Sequence, residues 1–202
     1  MDDLDKTVLI ESQYTSYQGT GTLSGELQDF IRLSGCSVPC PLRKNCDQPE
    51  SLQKGSNKKT IQDIIDDMDT DWLHITGGEP AERPEMVNLC RAAIRLGKRV
   101  QVQTSGTIDI EWGCDPFVSV SPKLDHIKNV KESEIVIVAA SWMTEKRAIG
   151  IIKGRSCPVF VIPESKNGEF SNDAMFKLLD SLHRSGIKAR AGLQSHLVWN
   201  IS

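Results

Sequence analysis

The sequence predicts an α/β fold built on a mainly parallel sheet, and three observations predict it. Short β-branched and aromatic runs alternate with helical periodicities over most of the 202 residues. Polar, Gly-bearing segments sit just after the strands, where parallel sheets bind ligands. The composition, 39% hydrophobic and 25% charged, is that of an ordinary globular chain with one core.

Taken in order, Met1 to Asp5 is acidic and reads as a frayed end. Thr7 to Ile10 reads as a short strand leading to Glu11. Gln18-Gly19-Thr20-Gly21-Thr22-Leu23-Ser24-Gly25 is a loop that lets main chain approach a ligand. No Gly-Lys-Ser/Thr follows it, which weakens a phosphate-loop reading. Leu27 to Leu33 alternates around Phe30 as a strand, with Arg32 near its C-terminal end. Residues 47–59 are polar, with Pro49 and Gly55, and read as a mobile insertion in a single domain spanning 1–202. Thr60-Ile61-Gln62-Asp63 opens a helix with a capping-box-like start, and Ile61, Ile64, Ile65 and Met68 keep helical spacing.

Asp71 to Thr76 is a strand, followed by a helix over Glu82 to Leu96 that Gly97 stops. Arg99 to Gln103, Phe117 to Val120 and Glu134 to Ala139 are strands, and Glu145 to Ile152 a short helix. Pro158 to Ile162 is a strand, Asn172 to Arg184 a helix closed by Gly186, and Lys188 onward a last strand.

The net charge of -3 gives no basic footprint for nucleic acid. No N-terminal stretch has the charged-then-apolar pattern of a signal peptide. The longest nearly apolar run, Ile135 to Met143, is too short to cross a bilayer, so no membrane association is expected. Of the six cysteines, Cys90, Cys114 and Cys157 are scattered singly on apolar segments as core packing. That is no secreted disulfide framework, and it implies a reducing cytoplasm. His74, His126 and His183 read as structural or surface residues, Trp72 and Trp142 as core, and Trp112 as part of a turn.

The chemistry-bearing stretch is Gly35 to Asp47. Cys36, Cys40 and Cys46 fall within eleven residues, with gaps of three and five. Thiolates suit zinc or an iron–sulfur cluster. Three of them can hold three corners of a four-iron cluster and leave one iron free, whereas a closed zinc site wants four ligands. Spacing alone leaves open a zinc knuckle completed by a remote His, or a Cys-rich surface loop. Gly77-Gly78-Glu79-Pro80 follows a strand and precedes a helix. Its glycines offer bare N–H groups and Glu79 can accept from an amine. Thr104-Ser105-Gly106 and Ser121-Pro122-Lys123 close the next two strands.

In this order the elements resemble the radical S-adenosylmethionine superfamily. Gln18-Gly19, Phe30 to Cys36, Ile75 to Pro80, Val118 to Lys123 and the ending Gln194-Ser195-His196-Leu197-Val198-Trp199 narrow the resemblance to the 7-carboxy-7-deazaguanine synthase (QueE) family. The resemblance implies a partial TIM-like barrel of about six mainly parallel strands with helices outside, the radical S-adenosylmethionine core. It implies that Cys36, Cys40 and Cys46 share a [4Fe-4S] cluster, and that Gly77, Gly78, Glu79, Ser105, Ser121, Pro122 and Lys123 line S-adenosylmethionine. Tyr17, Gln18, Gly19, Arg32 and Thr76 would face a pterin, with Arg32 gripping its carboxylate. His196 and the chain end near Ser202 would approach the same substrate.

The implied reaction converts 6-carboxy-5,6,7,8-tetrahydropterin to 7-carboxy-7-deazaguanine with loss of ammonia. It starts with hydrogen abstraction by a 5′-deoxyadenosyl radical. A flavodoxin or ferredoxin as electron donor and a homodimer are implied too. Three features depart from the family pattern. The second cysteine gap is five residues rather than two, Thr20 stands where the family has an acid, and Gln48 stands where it has the Thr that ligates Mg²⁺. Two rivals therefore stay open: a radical enzyme of the same fold with another substrate, such as a glycyl-radical activase or a peptide or nucleotide modifier, and a structural zinc module.

Overall fold

The computed structural model describes residues 3–166 and 168–201. Ser202 lies outside them, as do Met1 and Asp2. The strands are β1 (Thr7–Tyr17), β2 (Leu27–Leu33), β3 (Lys58–Thr60), β4 (Trp72–Gly77), β5 (Arg99–Thr104), β6 (Phe117–Val120), β7 (Glu134–Ala139), β8 (Val159–Pro163), β9 (Ser165–Lys166), β10 (Glu169–Phe170) and β11 (Ala189–Ala191). The helices are α1 (Ile61–Asp66), α2 (Glu85–Arg95), α3 (Glu145–Ile152), α4 (Asn172–Arg184) and α5 (Ser195–Trp199).

Nine strands form one sheet in the order β3-β1-β2-β4-β5-β6-β7-β8-β11, and β9 and β10 pair separately. Every pair from β2 to β11 is parallel, while β1 runs antiparallel to both β2 and β3. The two edges, β3 and β11, do not meet, so the sheet is an open partial barrel. It is wider than expected from sequence, because an antiparallel hairpin and an edge strand extend the parallel run.

Side-chain alternation divides the sheet into two faces. Ile31, Leu33, Leu73, Ile75, Val100, Val102, Val118, Val120, Ile135, Ile137 and Val161 join the main core, together with Ile61 and Ile64 of α1, Met86 and Leu89 of α2, Ile151 of α3 and Leu182 of α4. The residues between them point the other way. They are Phe30 and Arg32 on β2, His74 and Thr76 on β4, Gln101 and Gln103 on β5, Val136 and Val138 on β7, and Phe160 and Ile162 on β8. Buried parallel strands usually read as continuous apolar runs. Here the inner face is partly polar, and it is the face that holds the site.

Several expectations need correction. β1 runs on to Tyr17 instead of stopping at Ile10, because Gln13 to Tyr17 pair with β2 after a bulge between Ile10 and Ser12. Residues 47–59 are tied to the sheet: β3 pairs with β1, Gly35 N donates to Ser51 O at 2.9 Å, and Ser34 Oγ donates to Gln53 O at 3.0 Å. The second helix starts at Glu85, three residues late, because Pro84 disfavours helical backbone at Arg83. Residues 80–82 make a 3₁₀ turn instead. Trp112 is buried against the core while Trp72 and Trp142 are only half-buried. The segment carrying Trp112, with Ile110 and Cys114, packs onto the helical layer. Asp3 to Asp5 form a 3₁₀ turn, with Asp3 bonded to Lys6 at 2.8 Å. The last strand, expected from Lys188 onward, ends at Ala191, and Ser195–Trp199 form the short helix α5; the β9–β10 pair carried no expectation.

Candidate active site

The C-terminal ends of the parallel strands open onto one cavity of about 600 Å³. Of the residues singled out from sequence, Tyr17, Gln18, Gly19, Arg32, Cys36, Cys40, Cys46 and Gln48 line it. So do Thr76, Gly77, Gly78, Glu79, Ser105, Ser121, Lys123 and His196. Pro122 does not, although it is buried beside them.

The β4 turn is fixed by close main-chain approach. Gly77 has φ +96° and Gly78 N donates to Leu33 O at 2.9 Å. A Cβ on Gly77 would strike the backbone of Leu33, and one on Gly78 would strike Gly35 O. Only glycine allows the ends of β2 and β4 to cross this closely. Glu79 is buried and accepts four hydrogen bonds. Oε1 takes Ala81 N at 3.0 Å and Thr104 Oγ1 at 2.5 Å, and Oε2 takes Ser105 N at 2.8 Å and Ser105 Oγ at 2.5 Å. Lys123 Nζ donates to Ser121 Oγ at 2.7 Å on the next strand end.

The cysteine loop leaves β2 at Gly35. Glu82, just past the glycine turn, holds it by accepting from Ser37 Oγ at 2.6 Å and Ser37 N at 3.1 Å. Arg83 Nη2 donates to Ser34 O and to Gly35 O, and Arg43 Nη1 donates to Cys36 O at 3.0 Å. All three cysteines are free and half-buried on one wall. Main-chain N–H groups already donate to sulfur: Leu42 N to Cys40 Sγ at 3.3 Å and Gln48 N to Cys46 Sγ at 3.4 Å. Burial pushes the Cys46 thiol up, and the charges of Asp47, Cys40 and Cys36 add to this. Among the described residues no three His, Cys, Asp or Glu groups stand close enough to hold a metal ion. The donor set fits an iron–sulfur cluster in chemistry and in its N–H···S contacts, since each cysteine of a four-iron cluster binds a different iron and the three need not converge on one ion.

The floor was missed in the sequence. His74 is wholly enclosed. Its Nδ1 lies 3.0 Å from Gln18 Nε2 and 2.8 Å from Gln28 Oε1, and Gln28 Nε2 donates to Gln101 Oε1 at 3.0 Å. Burial lowers its pKa from 6.5 to about 3, against a smaller opposing pull from Gln103. A neutral ring has one N–H, so Nδ1 either donates to Gln28 or accepts from Gln18. Phe30 stacks on His74 with centroids 4.4 Å apart, Tyr14 stacks on Phe30 at 5.4 Å, and the Arg32 guanidinium sits 5.0 Å over Tyr14. Burial raises the Tyr14 pKa and lowers that of His196. The signal that could have found this floor is the alternation in Leu27 to Leu33 and Arg99 to Thr104, which leaves a second, polar row on otherwise buried strands.

Helix α5 closes one side. Ser195 N donates to Gly19 O at 2.9 Å, and Trp199 meets Tyr17 edge-on at 6.4 Å. Gln194, His196 and Leu197 thereby reach the cavity.

No protein-family model matches the chain. It is 34% identical over 110 residues to a 7-carboxy-7-deazaguanine synthase of Aquifex aeolicus, covering 53% of this chain and 49% of that one. It is 34% identical over 124 residues to that of Rhodopirellula baltica, covering 59% and 47%. It is 36% identical over 101 residues to that of Methanospirillum hungatei, covering 48% and 42%. The chain thus spans about half the length of the curated relatives it matches. The crystal structure of QueE from Escherichia coli superposes with a TM-score of 0.69 at 20% identity, covering 93% of each chain, which establishes the fold. With the glycine turn, the cysteine loop and the Ser-Pro-Lys turn on one rim, the chain is similar over about half of their length to 7-carboxy-7-deazaguanine synthases and shares the fold of QueE.

Proposed function

We propose that the protein converts 6-carboxy-5,6,7,8-tetrahydropterin to 7-carboxy-7-deazaguanine, as a radical S-adenosylmethionine lyase in 7-deazaguanine biosynthesis. The observation that carries this is the convergence of the three cysteines, the Gly77-Gly78-Glu79 turn and Arg32 on one cavity. When bound, a [4Fe-4S] cluster on Cys36, Cys40 and Cys46 supplies one-electron reduction of the sulfonium nucleoside, with the electron coming from a flavodoxin or ferredoxin.

The remaining work belongs to the chain's own groups. Gly77, Gly78 and Glu79 present main-chain partners to the methionine part of the nucleoside, the Glu79 carboxylate bracing the turn against Thr104 and Ser105, with Ser121 and Lys123 beside it. Gln18, Gly19, Thr76 and Tyr17 form the pterin side. Arg32 meets its carboxylate, because the guanidinium is planar and its buried Nε has no partner among the described residues. Stacked aromatics and an apolar wall exclude water from a reactive substrate. Gln48 Oε1 is buried, faces the cavity and has no partner among the described residues, so it is the oxygen we assign to a Mg²⁺ beside the substrate. A homodimer is part of the same proposal.

The test is anaerobic reconstitution with iron and sulfide, incubation with S-adenosylmethionine, reductant and the carboxytetrahydropterin, and product mass. We expect 7-carboxy-7-deazaguanine from the wild type. Cys36→Ala should lose both bound iron and turnover; retained iron and activity would refute the ligand assignment. A second reading, the same chemistry on another substrate, is favoured by Thr20 and Gln48. Cleavage of S-adenosylmethionine without product from the pterin would select it. One zinc and no sulfide after anaerobic purification would select the structural-zinc reading.

A further inference from the structure

Three carboxylates line the cavity, and they are not equivalent. Glu79 spends both oxygens on four donors of the protein itself. Asp47 is exposed beside Cys46. Glu164, the residue after β8, is buried at 8% exposure, and among the described residues its side chain has one partner, Lys166 Nζ at 3.1 Å. The Lys166 side chain is 53% exposed. A carboxylate has about four lone-pair positions, so one half-solvated ammonium leaves most of this acceptor unspent. Buried charge in that condition calls for donors from elsewhere.

The opposite wall presents the complementary deficit. The Arg32 guanidinium rests on the Tyr14 ring with its buried Nε unpartnered among the described residues. Arg32 is on β2 and Glu164 follows β8, with β4, β5, β6 and β7 between them in the sheet. They reach one cavity because the sheet curls. Between them lie an aromatic stack on one side and the apolar patch of Val136, Val138 and Ile162 on the other. Such a slot suits a flat heterocycle with an anion at one end and paired N–H donors at the other.

We infer that Glu164 is a specificity-determining residue that accepts the coplanar ring N–H and exocyclic amino group of a 2-amino-4-oxopyrimidine, while Arg32 holds the carboxylate at the far end of the same molecule. This rests on the pterin reading above and adds a carboxylate acceptor for the pyrimidine edge, to which that reading assigned no charged partner. Two parallel N–H···O bonds to one carboxylate give both strength and orientation. Lys166 turns outward to solvent as the ligand's donors replace it.

The test compares pterin-6-carboxylate with its 2-deamino counterpart, both by equilibrium binding to the reconstituted protein. Carboxytetrahydropterin turnover is followed in parallel. The wild type should bind the amino compound about 10- to 100-fold more tightly than the deamino one. In Glu164→Gln that preference should collapse to within about threefold, with KM for the pterin raised more than kcat is lowered. Iron content and the far-ultraviolet spectrum should be unchanged. Equal wild-type binding of the two compounds overturns the inference, and needs no variant to fold. So does a Glu164→Gln protein that keeps the preference. Preference without turnover sinks the proposed reaction and leaves Glu164 in place. Turnover without preference sinks Glu164 alone, and neither binding nor turnover sinks both.

Discussion

His74 shows how a single enclosed group links folding to pH. Its folded pKa, about 3, lies below the ordinary 6.5, so the unfolded chain takes up the proton first as pH falls. The stability it contributes is complete above about pH 6.5 and is lost progressively toward about pH 3, by at most about 1.4 kcal/mol per unit. We expect urea midpoints of the wild type to drop between pH 7 and pH 5, and His74→Gln to flatten that dependence. An unchanged slope in the variant would remove His74 as the cause. The same residue marks the limit of legibility at this scale. Cys36, Gly78 and Lys123 stand in motifs whose spacing announces them. His74, Phe30 and Glu164 carry no local signature, because their meaning comes from which face of the sheet they occupy and what the neighbouring strands place beside them.

At the scale of elements, caps and periodicity were the most readable features. Thr60 Oγ1 accepts from Asp63 N at 3.0 Å and Asp63 Oδ2 accepts from Thr60 N at 3.2 Å, the reciprocal cap its sequence announced. The hydrogen bonds from Thr60 hold the Asp63 carboxyl below its usual range. Thr60→Ala should cost about 1 kcal/mol in chemical denaturation and leave turnover intact. No loss would mean that packing of Ile61 and Ile64 alone holds α1. Strands β2, β6 and β7 and helices α3 and α4 have the bounds the sequence predicts. Three of the misses share a cause: the far half of β1, and β3, depend on pairing with distant chain, and α5 depends on docking against Gly19 and Tyr17. Tertiary partners decide such segments, and a local window does not contain them.

For the whole molecule, alternation of strands and helices fixed the class, and parallel order followed from it. The cavity's location was readable as well, since the polar turns all follow strands. Its degree of closure was not, because the curl of a sheet has no residue-level signature. The half-buried cysteine loop gives this scale its prediction. Loading iron and sulfide should slow hydrogen exchange across residues 36–48 by about tenfold or more, while α2 and β5 stay unchanged. Equal exchange with and without the cluster would show that the loop does not close on it.

The grip of Glu82 and Arg83 on residues 34–37 has one more consequence. It bolts the upstream root of the cysteine loop to the glycine crossing, whereas between Cys40 and Cys46 the described bonds stay within the loop itself, as from Arg43 N to Cys40 O and from Asn45 N to Leu42 O. Changes in length downstream are then absorbed without moving the anchorage, so a chain with a longer second gap can keep the same crossing of the ends of β2 and β4. Lengthening the segment before Cys36 would have no such slack to draw on.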